Sequence, residues 1–396
     1  MDPIQELYRA LSQVIDQSPK PPTETDFTEY KAQIDAVLTQ VQHLTNGSYF
    51  VPSPWHAAIL CAQLMAGSAS GVILDQTVQE LDDDAVPARH LVFRGEGNST
   101  RKLLPSLWRP STDSDLARKA LSCFCPVLKR AIDKCFEDRN LDVQLGLATA
   151  QHFGIPTSFL DWSADPFVAV RFASQSPNTV ANAVVYVLPL DVANNIGGRF
   201  YMPAPFLKRL YVQRGFFIEP ASPEQDQQLA AACIRIEFPH HEGFQVIRDG
   251  KEIELLSPGD FPWLDKVREW AWERAKEGEV YDQTTSGNFQ ELLQRIDDVL
   301  KSLGTPEELA PANASALFNQ WVFSSQDLIA RLTQFKSAQS KLHVNPTLLK
   351  AIVRDNPMLL NAIASALTDQ ASREGSGSDE YANLILSILK DLKNAD

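Results

Sequence analysis

The chain has 396 residues, 44% of them hydrophobic and 22% charged, and at roughly 150 residues per packing unit this length predicts a globular protein of two or three units. The formal net charge of -14 opposes diffuse attraction to phosphate or anionic lipid, so we expect neither non-specific coating of nucleic acid nor membrane association. The 18 glycines, the 5 cysteines and the absence of a long apolar run exclude collagen-like, disulfide-rich and transmembrane proteins.

The beginning of the chain and the cysteines bear on the compartment. Residues Met1–Glu6 are acidic, where a signal peptide needs a basic start and an apolar run, so a cytoplasmic location is expected. The cysteines are odd in number and contain no CxxC pair, and most of them lie in apolar stretches. We therefore expect reduced thiols that serve as small core residues.

Residues 1–85 are predicted to form an N-terminal helical region. Apolar residues recur at three- and four-residue steps from Ile4 to Ile15 and from Ile34 to Leu44, where Asn46-Gly47 is a helix stop, and a third apolar segment covers Trp55–Met65. The acidic run Asp82–Asp84 is expected to be an exposed boundary. The region either recruits a partner or buries one face of the central core, and its apolar stripes favour the second alternative.

Residues 86–278 change to short strands and helices, which predicts a mixed α/β (α+β) domain. Gly154 and Pro156 end a helix, Asp165-Pro166 suits an N-cap and a first helical residue, and Asp249-Gly250 is a hairpin turn. The predicted strands are His90–Phe93, Thr157–Trp162, Ala183–Leu188, Phe216–Ile218 and Cys233–Phe238, with helices at Leu116–Cys135 and Leu141–Phe153.

Residues 279–396 are predicted to form a C-terminal helical region. A glycine-serine linker at Gly375–Ser378 precedes a terminal helix with an apolar stripe over Leu384–Leu392 that must pack on something. Both helical flanks are available to contact a protein partner.

Common catalytic and metal motifs are missing. There is no GxSxG elbow, no Walker A loop and no GxGxxG turn. His240-His241-Glu242 are adjacent residues that point apart on an extended chain, and Cys123 and Cys125 would point roughly 200° apart on a helix. We therefore expect no metal site.

Polar residues cluster where the central elements begin and end. Arg94 ends the first central strand beside Gly95, and it could bind a carboxylate or phosphate ligand or pair with a core carboxylate. Asp161 lies between Leu160 and Trp162, so it needs a partner, and Arg94 is the obvious candidate. His152 occupies the last turn of a helix, where a capping role is the simpler interpretation.

Several blocks of the sequence closely resemble the FRG domain family. They are Phe93–Gly95, Leu104–Arg109, Leu147–Ser163 and Gln213–Phe217, and the resemblance covers about residues 85–275. Ser158 departs from the family, in which arginine is common at that position. The resemblance implies a part of a bacterial conflict system, a toxin or an anti-phage effector.

The order of elements in this region is similar to that of ADP-ribosyltransferases, which implies a split-sheet core and NAD as co-substrate. On this analogy Arg94, Gln151, Thr157, Trp162 and Ser163 would bind NAD, with Arg94 on its phosphate or ribose and Trp162 stacked on an aromatic ring. The implied catalytic residues are Arg94, Asp161, Gln213 and His152, with His152 as a proton carrier.

Gln213 would stand where many such enzymes have a glutamate. An amide binds a ribose hydroxyl but stabilises oxocarbenium charge only weakly, so Asp161 could supply the negative charge instead. The resemblance implies an NAD-dependent mono-ADP-ribosyltransferase acting on protein or nucleic acid. The alternatives are an NAD hydrolase and a non-catalytic nucleotide-binding or protein-interaction module.

Overall fold

The computed structural model contains two units, each assembled from separate stretches of sequence. The first unit comprises Met1–Leu104, Asp161–Arg199 and Gln213–Leu256, and the second comprises Pro105–Leu160, Phe200–Val212 and Ser257–Asp396. The two units interleave along the chain. The three consecutive regions expected from the sequence stay a prediction.

The structure describes residues 2–17, 24–45, 47–67, 91–135, 143–175, 181–189, 192, 196, 199–201, 212–220, 222–248, 250–255, 262–281 and 289–304. Three features expected from the sequence lie outside these residues. They are the acidic run Asp82–Asp84, the linker Gly375–Ser378 and the terminal helix over Leu384–Leu392.

The first unit contains a mixed sheet. Its strands are β1 (Gln42–Thr45), β2 (Ser48–Phe50), β3 (Leu91–Glu96), β4 (Leu160–Ser163), β5 (Ala183–Pro189), β7 (Gly215–Glu219) and β8 (Ile234–Phe238), while β6 (Arg199–Tyr201) spans the boundary in sequence between the units. Within the unit the order is β1-β2-β8-β5-β3-β4-β7. Strand β2 runs parallel to β8, whereas the β1–β2, β8–β5, β5–β3 and β3–β4 pairs are antiparallel.

The first unit also contains helices. They are α1 (Pro3–Gln17), a 3₁₀ helix (Glu24–Tyr30), α2 (Lys31–Leu38), α3 (Pro54–Gly67), α6 (Pro166–Ser174) and α7 (Pro223–Ala232). Helix α6 lies on β3 and β5, α3 contacts α6 and β8, and α1 packs on α3. The buried stripe of α1, which includes Leu7, Leu11 and Ile15, is therefore used inside the unit.

Most predicted central elements are confirmed, and so is the α/β class. All seven residues of β5 are buried, as expected for a strand covered on both faces. The Gly250 turn joins β9 (Ile247–Arg248) to β10 (Lys251–Glu252), with Gly250 at φ 71°. The split-sheet plan of ADP-ribosyltransferases stays a prediction.

The expected helix from Ile34 to Leu44 is wrong in its second half. Helix α2 ends at Leu38, and the following residues form β1, which turns through Gly47 at φ 69° into β2. Leu44 is 48% exposed, so it does not extend a buried helical stripe. Pairing of β2 with the distant β8 overrides the local periodicity, and the N-terminal region therefore contributes strands as well as helices.

Helix α6 approaches the sheet unusually closely. It begins at the predicted N-cap, because Asp165 accepts hydrogen bonds from the backbone N–H groups of Phe167 and Val168. A Cβ atom added at Gly95 on β3 would lie 1.9 Å from the backbone oxygen of Ala169. Gly95 is therefore the residue that lets the helix backbone touch the strand.

The second unit is mainly helical where it is described. Its elements are a 3₁₀ turn (Ser106–Trp108), α4 (Ser114–Cys135), α5 (Val143–His152), α8 (Pro262–Lys276) and α9 (Phe289–Leu303). Helix α4 packs against α5, α8 and α9. Arg130 of α4 forms two hydrogen bonds with Asp297 of α9, both 2.9 Å long. Among the helices that the structure describes, none is long and apolar enough to cross a membrane.

Gly95→Ala should lower the free energy of unfolding by about 3 kcal/mol or more, because the new methyl group collides with the backbone of α6. Gly154→Ala is the matched control. Gly154 has φ 80° and no atom within 4 Å of an added Cβ, so that substitution should cost only about 1 kcal/mol. Urea unfolding of both variants measures the difference, and equal losses would contradict the close approach.

Candidate functional site

Arg94 is a buried cation within β3, which continues to Glu96 and does not end at Arg94 as expected from the sequence. Its side chain is 8% exposed, and Nη2 donates to Glu96 Oε1 over 2.6 Å. Nη1 donates to the backbone oxygen of Asp161 over 2.5 Å and lies 3.5 Å from Asp161 Oδ2. Burial alone would lower the pKa of Arg94, but Glu96 and Asp161 outweigh it and raise the pKa, so the guanidinium stays charged.

The two carboxylates beside Arg94 differ in exposure. The expected contact with Asp161 exists, yet its side chain is 57% exposed, so the expectation of a carboxylate in an apolar setting is wrong. Glu96, which was not predicted as a partner, is only 12% exposed and is the closer partner. Asp161 therefore presents a negative group to solvent beside a fixed positive one.

Arg94 belongs to a polar row that crosses three strands of the first unit. The register of β3, β5 and β8 aligns Arg94 with Tyr186 and Tyr186 with Arg235. Two residues further along each strand, on the same face, Val184 of β5 is aligned with Glu96 of β3 on one side and Glu237 of β8 on the other. We call Arg94, Tyr186 and Arg235 the polar row. Gly95, between Arg94 and Glu96, faces α6, so the polar row lies on the other face of the sheet.

Each arginine of the polar row is partnered. Arg235 Nη2 lies 3.1 Å from Glu237 Oε1 and donates to the backbone oxygen of Ser99 over 2.7 Å. Its guanidinium carbon lies 5.7 Å from the centre of the Tyr186 ring. Burial raises the pKa of Tyr186, whose hydroxyl donates to the backbone oxygen of Arg101 over 3.3 Å.

Trp162 and Ser163, both expected to bind NAD, have buried side chains. Trp162 is 2% exposed, so its indole does not offer an open face for stacking. Ser163 Oγ donates to the backbone oxygen of Gln213 over 2.7 Å and accepts from the backbone N–H of Asp165 over 2.9 Å. Ser163 thus ties β4 to the segment that carries Gln213.

Gln213 is held by the backbone around it. Its side chain is 7% exposed, and Nε2 donates to the backbone oxygen of Leu255 over 2.8 Å. The next residue, Arg214, has φ 51°, which is a left-handed backbone conformation. The hydrogen bond to Leu255 indicates a structural role for Gln213, where the resemblance implied a catalytic role.

Asp165 is the centre of a second buried cluster, which was not predicted from the sequence. Its carboxylate caps α6, lies 2.8 Å from Arg248 Nη2 and lies 3.5 Å from Arg214 Nη1. Burial would raise the pKa of Asp165, but the two arginines and the backbone N–H of Phe167 outweigh it and hold the pKa below its ordinary value. The cluster joins α6 to β9 and to the Gln213 segment.

The other expected site residues, Gln151, His152 and Thr157, belong to the second unit. The hydroxyl of Thr157 donates to Gln151 Oε1, and Gln151 Nε2 donates to the backbone oxygen of Phe159 over 3.1 Å. His152 is the last residue of α5, and its ring lies edge-on to Phe153 with centroids 5.8 Å apart. Gln151 and Thr157 therefore fix the loop after α5.

Most of the cysteines whose side chains are described are buried. Cys61, Cys123 and Cys233 are buried free thiols, and burial raises the pKa of Cys123 to about 11. The side chain of Cys135 lies outside the described residues. The His241 ring packs edge-on against Trp55 at 4.5 Å. Within the described ranges, no group of three histidine, cysteine, aspartate or glutamate side chains could hold a metal ion.

Comparison with known proteins concerns the part of the chain that contains Arg94 and Asp161. Residues 89–182 match the model of a family described as FRG domain. The chain contains an FRG domain. No curated protein and no solved structure matches the chain. The FRG match ends just before β5, so the likeness of the Gln213 block to the family stays a prediction.

Asp165→Asn should lower the free energy of unfolding by about 3–5 kcal/mol at pH 7, because asparagine still caps α6 but removes the negative charge that Arg214 and Arg248 contact at this position. The folded-state pKa of Asp165 is lowered, so its stabilisation is complete above the unfolded value of roughly 3.9 and is lost as the pH falls through the folded value.

Urea unfolding at a series of pH values measures this difference, which should shrink only below about pH 4. Asp115→Asn, at an exposed ion pair with Lys119, is the control and should change little at any pH. A difference between wild type and Asp165→Asn that is independent of pH would contradict the assignment.

Gln213→Glu should destabilise the fold by at least about 2 kcal/mol, because a buried carboxylate would face the backbone oxygen of Leu255 instead of donating to it. Gln213→Met removes the same donor without adding charge and should cost less. Thermal unfolding compares the two variants, and a Gln213→Glu variant as stable as wild type would restore the implied glutamate position.

Proposed function

We propose that the FRG domain consumes NAD as a mono-ADP-ribosyltransferase-like enzyme, with its reactive centre at Asp161. One observation carries the proposal: a buried, charged Arg94 on β3 holds the backbone of Asp161, whose carboxylate is 57% exposed beside it. A carboxylate fixed in this way is preorganised to stabilise positive charge that develops on a substrate.

The reaction needs such a group. The bond between the nicotinamide nitrogen and the ribose carbon breaks, its electron pair moves to the nicotinamide ring, and positive charge develops on the ribose. Asp161 would stabilise that charge. The acceptor then bonds to the same ribose carbon and gives its proton to the Asp161 carboxylate, from which the proton passes to solvent.

The geometry changes the roles that the resemblance implied. The terminal nitrogens of Arg94 are engaged by Glu96 and Asp161, so Arg94 orients Asp161 and does not clamp a phosphate through both of them. Gln213 and Ser163 hold the segment beside β4, which makes them positioning residues. Negative charge at the reacting carbon comes from Asp161 in this proposal.

The acceptor decides between two reactions of the same centre. Transfer to a protein or nucleic-acid side group gives mono-ADP-ribosylation, whereas transfer to water makes the chain an NAD hydrolase. Either reaction would suit a bacterial toxin or anti-phage effector, because it inactivates a cellular component or depletes NAD. The resemblance to FRG domains of conflict systems supports this context.

A non-catalytic nucleotide-binding or interaction module is the second candidate. One observation favours it: several expected site residues use their side chains in hydrogen bonds that hold the backbone. They are Gln151, Thr157, Ser163 and Gln213. In that case the Arg94–Asp161 contact would serve as a structural clamp, and NAD would bind without turnover.

Asp161→Asn should lower NAD turnover by about 100-fold or more while the melting temperature changes little, because the side chain is largely exposed and its charge acts mainly in the transition state. Purified full-length protein is incubated with labelled NAD, and released nicotinamide is measured. Label on macromolecules identifies a transferase, and free ADP-ribose identifies a hydrolase.

Asp35→Asn is the control, since Asp35 is an exposed carboxylate on α2 in the same unit. It should leave turnover unchanged. Wild-type turnover in the Asp161→Asn variant overturns the reactive centre. A rise in melting temperature with NAD, without nicotinamide release, overturns catalysis in favour of the binding module.

A further inference from the structure

Buried side-chain N–H groups of Arg94, Trp162 and Arg235 have no hydrogen-bond partner in the part of the chain that the structure describes. The two that belong to the most deeply buried side chains are Nε of Arg94 and Nε1 of Trp162. Both side chains are more than nine-tenths buried. Folded proteins pair nearly all buried donors, so unpaired ones mark positions where an acceptor from outside the chain is expected.

These two donors belong to neighbouring strands and to one face of the sheet. The antiparallel register that pairs Phe93 of β3 with Ser163 of β4 sets Arg94 opposite Trp162. Opposed residues of an antiparallel pair carry their side chains on the same face. Trp162 therefore extends the polar row by one strand, and Arg94 lies between the aromatic residues Trp162 and Tyr186.

The charges around the row decide which acceptor fits. Arg94 and Arg235 are accompanied by Glu96, Glu237 and Asp161, which together leave one excess negative charge. An anionic ligand would be repelled by this excess negative charge in a partly desolvated position. A neutral oxygen or a positively charged ring would not be repelled. The favoured ligand group is thus an uncharged acceptor oxygen.

We propose that Arg94 Nε and Trp162 Nε1 bind the carboxamide oxygen of nicotinamide, an assignment that rests on the NAD-consuming function proposed above. The carboxamide is a neutral acceptor, and the pyridinium ring of NAD is positively charged. The nicotinamide ring nitrogen, whose bond to the ribose breaks, would then lie next to Asp161. The carboxylate of Asp161 contacts the same guanidinium.

The burial of both donors means that the ligand reaches them only after a neighbouring segment has moved. The backbone oxygens of Ser99 and Arg101 accept hydrogen bonds from Arg235 and Tyr186, so this segment closes the row next to Arg94. The backbone N–H of Ser99 also donates to the backbone oxygen of Asn182 over 2.8 Å, so opening of this segment exchanges three hydrogen bonds for bonds with water.

Trp162→Phe tests the assignment, because it keeps an aromatic ring and removes the N–H. The affinity of the full chain for nicotinamide, measured by calorimetric titration, should fall about 3- to 10-fold, the effect of one neutral hydrogen bond. Wild-type protein should bind nicotinate more weakly than nicotinamide, because nicotinate adds a negative charge.

Trp263→Phe is the matched control. Trp263 is also buried, but its Nε1 donates to the backbone oxygen of Gly304 over 3.2 Å. Trp263→Phe removes the same atoms as Trp162→Phe and also breaks the hydrogen bond to Gly304. The melting temperature should therefore fall further than for Trp162→Phe. Nicotinamide affinity should be unchanged in the Trp263→Phe variant.

A spectroscopic readout in wild-type protein keeps the test independent of the folding of any variant. The indole N–H resonance of Trp162 should shift when nicotinamide is added, and that of Trp263 should not. Unchanged affinity in Trp162→Phe or an unmoved Trp162 resonance at saturating nicotinamide overturns the site. Nicotinamide release from NAD would still uphold the proposed function, while binding without release would uphold the site alone.

Discussion

The ion pair between Arg94 and Glu96 is the constraint on which the polar face of the sheet depends. A guanidinium that is 8% exposed is costly to keep inside a protein unless carboxylates and carbonyls surround it. Glu96 supplies the charge and the backbone of Asp161 supplies an acceptor, so β3 and β4 are joined by more than their short ladder. The exposed carboxylate of Asp161 takes its position from this arrangement.

Much of the fold follows from local patterns in the sequence. The uniformly apolar run of β5, the cap of α6 at Asp165 and the turn at Gly250 are each specified by a few neighbouring residues, and each is confirmed. The hairpin of β1 and β2 is not, because Val41 and Leu44 continue a helical spacing, and only pairing with β8 decides the conformation. Contacts between distant segments were the part that periodicity could not supply.

The site was predictable to a similar extent. Arg94 and Asp161 meet as expected, although β3 continues past Arg94 to Glu96. Glu96 was missed although it stands two residues from Arg94 on the same strand. The repeated spacing offered a signal: Arg94-Gly95-Glu96 and Arg235-Ile236-Glu237 both place opposite charges on one face of a strand. The Asp165 cluster carried no such signal, because Arg248 lies on a hairpin far along the chain.

The parallel pairing of β2 with β8 has a consequence for synthesis. Ser48 pairs with Arg235, so almost two hundred further residues must be synthesised after β2 before β8 is available for pairing. Such late pairing is slow, and until then the edges of β2 and β5 are open to other strands. Helices α1 and α3 can pack together earlier, which makes them the natural cover for the nascent chain while it lacks its closing strand.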